Sequence, residues 1–287
     1  MSHSHPDNER EKSVPISQAT PTGFDSRQDI VAVEEPMEIR VVFGPAEKRR
    51  SKSLSVTMRT PGNDFELAAG FLFTEGVISE SRHLSHIEFC GPVAEGQTVS
   101  NLVSVELSSD VEIDLNKLKR HFYTTSSCGI CGKASLDAIQ ARGLNPIESS
   151  APSVKAAIIH SLPARLRTSQ DVFDRTGGLH AAGLFDFQGD LISIREDVGR
   201  HNALDKLIGE QLLADNLPLA ERIIVVSGRA SFELMQKALA AAAPLVVAVG
   251  APSSLAVELA NEFNLTLIGF TSASRFNIYS ASQRVAR

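Results

Sequence analysis

The last hundred residues constrain the fold most. Ile223-Ile-Val-Val226, Leu245-Val-Val-Ala-Val249 and Leu265-Thr-Leu-Ile-Gly-Phe270 are short apolar runs of strand length. Between them, Phe232 to Ala241 and Leu255 to Phe263 follow helical spacing. A β-α-β-α-β order predicts parallel strands, because each helix returns the chain to the edge where the previous strand began. The loops that leave such strands all emerge at one edge, where ligands of α/β proteins bind.

Those loops are Ser227-Gly228-Arg229, Gly250-Ala-Pro-Ser-Ser254 and Thr271-Ser-Ala-Ser-Arg275, rich in Gly, Ser and Arg. Two of them run into predicted helix N-termini, at Ser231 and near Ser253 or Ser254. Unpaired backbone N–H groups and the helix dipole favour an anion there. Arginine adds a two-pronged contact to phosphate. Capping and turn chemistry accounts for any one of these loops. The three together, with Arg229 and Arg275, make a phosphate-bearing ligand an equal reading.

The rest of the chain is less regular. Residues 1–30 are polar, contain Pro6, Pro15 and Pro21, and show no period, which predicts a disordered tail. Residues 31–120 read as a smaller mixed α+β part. Its strands are Glu38 to Phe43, Ser53 to Met58 and the alternating Val103, Val105 and Leu107, with a helix between Asn63 or Asp64 and Gly76. Residues 121–287 read as an α/β core. In it, a short helix spans Ala134 to Arg142, and Pro152 and Pro163 flank an element whose type stays open. A hairpin turns at Gln188-Gly189-Asp190, and a helix follows from about Val198 to Leu213. Asp197, His201 and Asp205 are four apart, so a helix would put them on one face, as salt-bridge partners or as a wall of the ligand site. Asp174-Arg-Thr-Gly-Gly-Leu-His-Ala-Ala-Gly183 is Gly-rich, but it is neither a Rossmann fingerprint nor a Walker A loop.

Charge and cysteine usage narrow the function. With 28 Lys and Arg against 34 Asp and Glu, the net charge of −6 argues against a general nucleic-acid or membrane-surface role. No apolar run approaches the roughly 20 residues that span a bilayer, and the first ten residues lack an apolar signal core. The expectation is a cytoplasmic protein. Three cysteines make no disulfide framework and point to thiol chemistry or metal.

Two of the three lie in Thr124-Thr-Ser-Ser-Cys-Gly-Ile-Cys-Gly-Lys133. Ser126 or Ser127 can cap a following helix, which places Cys128 where a helix dipole lowers a thiol pKa. Lys133 adds a positive charge. A structural zinc would need Cys90 and one of His83, His86, His121, His180 or His201, and no second short ligand spacing is present. A zinc deaminase would need H-x-E before P-C-x-x-C; His180 and His201 are each followed by residues that break the first half, and Ser127 breaks the second. Disulfide exchange and sulfur carriage as a persulfide remain. Cys90 reads as core.

Several blocks together resemble a known family, the FdhD formate dehydrogenase accessory proteins, over nearly all the chain after the tail. They are Thr60-Pro-Gly62 with Glu66 to Leu72 and Glu75-Gly76, Ser126 to Lys133 with its C-G-x-C motif, Thr176 to His180, Arg195 to Lys206, Ser227-Gly-Arg229 and Phe270 to Tyr279. The resemblance implies a cytidine-deaminase-like α/β core. It implies a sulfurtransferase that takes sulfur from a cysteine desulfurase as a cysteine persulfide. The sulfur would pass to the molybdenum bis(molybdopterin guanine dinucleotide) cofactor, a bound substrate, before that cofactor enters formate dehydrogenase. Cys128 would be the persulfide carrier and Cys131 its partner. Phe270, Thr271, Ser272, Ala273, Ser274 and Arg275 align with the family's cofactor-binding segment, beside the strand-end residues Ser227, Gly228 and Arg229. No permanently bound metal is expected, and a homodimer is possible. Two alternatives stay open: a carrier that only holds the cofactor, and a C-x-x-C oxidoreductase.

Overall fold

A computed structural model describes residues 10–94, 97–111, 143–148 and 152–287. The chain starts with a hairpin, β1 (Glu11–Thr20) and β2 (Gly23–Ala32), paired in register from Glu11↔Ala32 to Thr20↔Gly23. The expected disordered tail is therefore corrected from residue 11 onward. The hairpin is mostly exposed, and an isolated two-stranded ribbon is marginal in water. Its base is fastened: Val33 N–H donates to the Arg10 carbonyl at 2.9 Å, and Arg175 ion-pairs with Glu11.

β3 (Glu35–Phe43), β4 (Arg50–Arg59), α1 (Asp64–Thr74), β5 (Leu84–Phe89) and β6 (Leu102–Leu107) build the first sheet, in the order β4-β3-β6-β5. Period-2 alternation puts Met37, Ile39, Val41 and Phe43 of β3 into the core. They pack with Leu67, Ala68 and Leu72 of α1 and Val103, Val105 and Leu107 of β6. Fully burying each of the larger of these side chains is worth about 1.5–3 kcal/mol.

The second part contains β7 (Val154–Lys155), α2 (Ala156–Arg167), α3 (Asp171–Thr176), β8 (His180–Phe185), β9 (Leu191–Asp197) and α4 (Arg200–Leu213). It continues through β10 (Ile223–Val226), α5 (Phe232–Ala240), β11 (Leu245–Ala248), α6 (Ser254–Glu262), β12 (Thr266–Gly269), β13 (Asn277–Ile278) and β14 (Val285–Ala286). The element left open around Pro163 is helix α2, which runs through that proline. Its sheet has the order β13-β12-β11-β10-β8-β9. β10, β11 and β12 are parallel, as the β-α-β-α-β pattern requires; β8 is antiparallel to β10, and β9 to β8. Both faces of these strands are covered. Ile224, Val226, Val246 and Leu267 face α4, α5 and α6, whereas Ile223, Val225, Val247 and Ile268 face α2. This is why the runs read as continuously apolar rather than alternating.

The two sheets meet where α1 packs along α4. Phe73 and Leu217 contact both cores. Among the described residues no helix is long and apolar enough to cross a membrane. The Ala134–Arg142 helix expected from sequence lies outside the described residues.

Candidate functional site

The strand-end loops meet as the topology demands. The Gly250 N–H donates to the Gly228 carbonyl at 2.9 Å, and the Phe270 N–H donates to the Gly250 carbonyl at 3.0 Å. The three loops are thus rungs of one ladder that continues the sheet edge. Gly250 is required there, because a Cβ would stand 3.0 Å from the Gly228 carbonyl oxygen. A bridge between Ala230 and Pro252 ties the next residues. Both helices start where the capping residues place them: the Ser231 hydroxyl accepts from the Leu234 N–H, and Ser253 accepts from Ala256 at 3.3 Å.

Among the expected residues, Ser227 is structural, its hydroxyl accepting from the Ala181 N–H at 2.9 Å. Gly228 lies against His180: a Cβ at Gly228 would be 3.3 Å from Nδ1 of that ring. Arg229 and Arg275 are exposed, and neither has an ion-pair partner among the described residues. Phe270 has a φ of 52° and its side chain is 43% exposed. A bulky residue in the left-handed region is a strained choice. Thr271 is 3% exposed and its hydroxyl has no hydrogen-bond partner. Ser272, Ala273, Ser274 and Arg275 form a tight turn, in which the Ser272 hydroxyl accepts from the N–H groups of Ser274 at 3.4 Å and Arg275 at 3.2 Å. The fold therefore brings Ser227–Arg229 and Phe270–Arg275 together through Gly250. Cys128 and Cys131 lie outside the described residues.

Of the side chains at this edge, His160 and Glu233 were not singled out from sequence, whereas His201 was weighed there as part of a ligand wall and His180 and His201 as zinc ligands. His160 of α2 donates from Nδ1 to the Ser272 carbonyl at 2.9 Å and packs on Phe276. His201 of α4 places Nε2 3.2 Å from the Glu233 carboxylate and 3.3 Å from the Ser231 hydroxyl. The His201 hydrogen bond holds the Glu233 carboxyl down to about 2, and Ser231, which donates at 3.1 Å, assists. His180 is lowered by burial first, then by the charges of Arg200 and His201. The blocks Thr176 to His180 and Arg195 to Lys206 held the signal, but only pairing of β8 with β10 and β9 brings them to this edge.

The four-residue spacing of Asp197, His201 and Asp205 does not make one wall. Asp197 ends strand β9, and its carboxylate pairs with Lys206 at 2.7 Å, both side chains fully buried. Asp205 pairs with Lys237 at 2.9 Å and accepts from Thr74 at 2.7 Å. Thr60 joins the first group: its N–H donates to Asp197 at 3.2 Å, its hydroxyl accepts from the Val198 N–H at 3.3 Å, and its carbonyl accepts from Lys206 at 2.8 Å. These buried pairs lock the first sheet onto α4 and hold the turn that presents Arg200 and His201. Cys90 is half-buried rather than core, and burial raises its pKa, so it stays a thiol.

Fold and edge together define an α/β protein whose strand-end loops gather glycines, backbone amides and, among the described residues, two arginines without ion pairs at one edge. The FdhD/NarQ family profile matches residues 32–286, and the chain belongs to that family. It is 52% identical over 263 residues, 91% of this chain and 90% of the other, to the sulfur carrier protein FdhD of Streptomyces coelicolor. It is 42% identical to the protein of the same description from Saccharolobus solfataricus, over 90% and 91% of the two chains. A crystal structure of a protein assigned as a formate dehydrogenase accessory protein, from Desulfotalea psychrophila, superposes with a TM-score of 0.71 at 23% identity. The match covers 96% of this chain and 99% of that one, and shows the shared fold.

Proposed function

We propose that this protein is a sulfurtransferase that serves formate dehydrogenase from the cytoplasm. The Cys128 thiolate attacks the sulfane sulfur of a persulfide on a cysteine desulfurase. The donor S–S bond breaks, the donor cysteine leaves as thiolate, and Cys128 becomes the persulfide. The Cys128 S–S bond then breaks, Cys128 leaves as thiolate, and the sulfane sulfur passes to the molybdenum bis(molybdopterin guanine dinucleotide) cofactor, bound as substrate at the strand edge, whose reduced metal supplies the electron pair that takes the sulfur to sulfide.

The observation that carries this reading is the Gly228–Gly250–Phe270 ladder, whose loops carry Arg229 and Arg275, two guanidinium groups with no ion pair among the described residues. The buried, unpartnered Thr271 hydroxyl supports a ligand with polar atoms there. Phosphates and guanines match such an edge, because arginine binds phosphate in two-pronged fashion and backbone amides tolerate close approach. The curated relatives bear the description sulfur carrier protein.

The test is intact mass after incubation with a desulfurase and cysteine. A gain of one sulfur atom on Cys128, absent in Cys128→Ala, is the expected result. An unmodified thiol in a chain that still binds the guanine cofactor would replace the transferase by a carrier.

A further inference from the structure

We propose that His160 is a positioning residue, which holds the turn that carries Arg275 and so sets that guanidinium for its ligand. The inference rests on the reading of the strand edge as a nucleotide site and adds the device that keeps one of its arginines in place.

The backbone ladder of the edge stops short of Arg275. Its last bonds run from the Phe270 N–H to the Gly250 carbonyl at 3.0 Å and from the Thr271 N–H to the Ala248 carbonyl at 3.2 Å. Beyond Thr271 the chain leaves the sheet, and Ala273, Ser274 and Arg275 are exposed. It regains the sheet at Asn277, opposite Gly269. A turn that stands out in water holds its side chains loosely, and binding then bears the cost of ordering them.

His160 bridges this gap from a different element. α2 is fixed on the sheet by Ile159, Leu162 and Leu166, which are buried with Val247 and Ile268. The His160 ring reaches the turn from that platform. Its Nδ1 donates to the Ser272 carbonyl at 2.9 Å. A carbonyl only accepts, so Nδ1 carries a proton in either charge state of the ring. The same ring packs on Phe276, with centroids 4.7 Å apart. One imidazole therefore touches Ser272 before Arg275 and Phe276 after it. Ser272 passes the restraint on: its N–H donates to the Arg275 carbonyl at 2.9 Å, and its hydroxyl accepts from the Arg275 N–H at 3.2 Å.

GDP binding to the whole protein, measured by titration calorimetry, tests this with two variants. His160→Phe keeps a ring against Phe276 but has no donor, whereas the amide of His160→Asn still donates from near the Nδ1 position. His160→Phe should weaken binding about threefold to tenfold, the worth of one net hydrogen bond, and His160→Asn should recover most of that loss. In an Arg275→Ala background, His160→Phe should have no further effect, which a merely structural role would not produce. If His160→Phe binds as the wild type does, or costs the same with and without Arg275, His160 does not act through Arg275. Wild-type protein that fails to bind GDP overturns the nucleotide reading itself, and this inference with it. Hydrogen exchange in the free wild-type protein decides the matter where a variant folds poorly. The Arg275 amide should exchange slowly, and exchange at the rate of an unstructured peptide would contradict the clamp.

Discussion

Gly70 of α1 and Gly209 of α4 face each other where the two helices cross, and neither position has room for a Cβ. A Cβ on Gly70 would lie 2.9 Å from the Gly209 nitrogen, and one on Gly209 would lie 2.8 Å from the Gly70 nitrogen. Backbone stands against backbone, so nothing can rotate away. The contact joins the first sheet to the helix whose start carries Arg200 and His201.

Gly70→Ala or Gly209→Ala therefore forces the helices apart. Overpacking of this kind costs about 1–3 kcal/mol, offset only slightly by the helix propensity of alanine. Urea unfolding should show a lowered midpoint for either variant. A midpoint equal to that of the wild type would mean that the helices do not cross so closely.

Lys206 and Asp197 are a buried pair; Asp197 also accepts from the N–H groups of Thr60 and Gly199 and from the Asn202 amide, and Lys206 donates to the Thr60 carbonyl. Removing one partner strands a charge, so Lys206→Met should destabilise by about 3–5 kcal/mol. The double variant Lys206→Met with Asp197→Leu should recover part of that loss in the same unfolding assay. A double variant no better than the single one would show that Lys206 acts through packing alone.

Much of the core is legible in the sequence, and the reasons are local. The runs at Ile223, Leu245 and Leu265 are apolar on both faces, and Ser231 and Ser253 cap the helices between them. The β-α-β-α-β order predicted that the glycine- and arginine-bearing strand-end loops share one edge, and the fold brings them together there. The hairpin from Glu11 was not legible, because its strands bury no continuous face and are held by register and base contacts. Asp197 was misread because helical spacing was applied across a strand end. The grouping of His180 with Arg200 and His201 escaped because antiparallel pairing of distant segments assembles it, which no local pattern reports.

Glu233 gives a pH dependence with a definite sign. Its carboxyl is lowered from 4.5 to about 2, chiefly by the His201 hydrogen bond. Between those values the unfolded chain binds more protons, so stability is present above about 4.5 and is lost as the pH falls toward 2. The pair is partly exposed, so the loss should stay below about 1 kcal/mol. Thermal melts of Glu233→Gln should show a flatter profile across that window. An unchanged acid limb would place the titration elsewhere.

Arg275→Ala should weaken GDP binding by tenfold to hundredfold, since a two-pronged contact to phosphate is worth about 1.5–3 kcal/mol. Titration calorimetry measures this directly. Equal affinity in a correctly folded variant would remove Arg275 from the nucleotide site.

Delivery of sulfur at this edge is best tested by a single-turnover experiment. The protein is loaded with one sulfur atom by a desulfurase, freed of donor, and mixed with the molybdenum guanine-dinucleotide cofactor, and the mass of the Cys128 peptide is followed. The added sulfur should leave Cys128 as the cofactor gains it, and more slowly in Arg275→Ala. Cofactor that binds while the persulfide stays intact on Cys128 would contradict sulfur transfer and leave only a carrier.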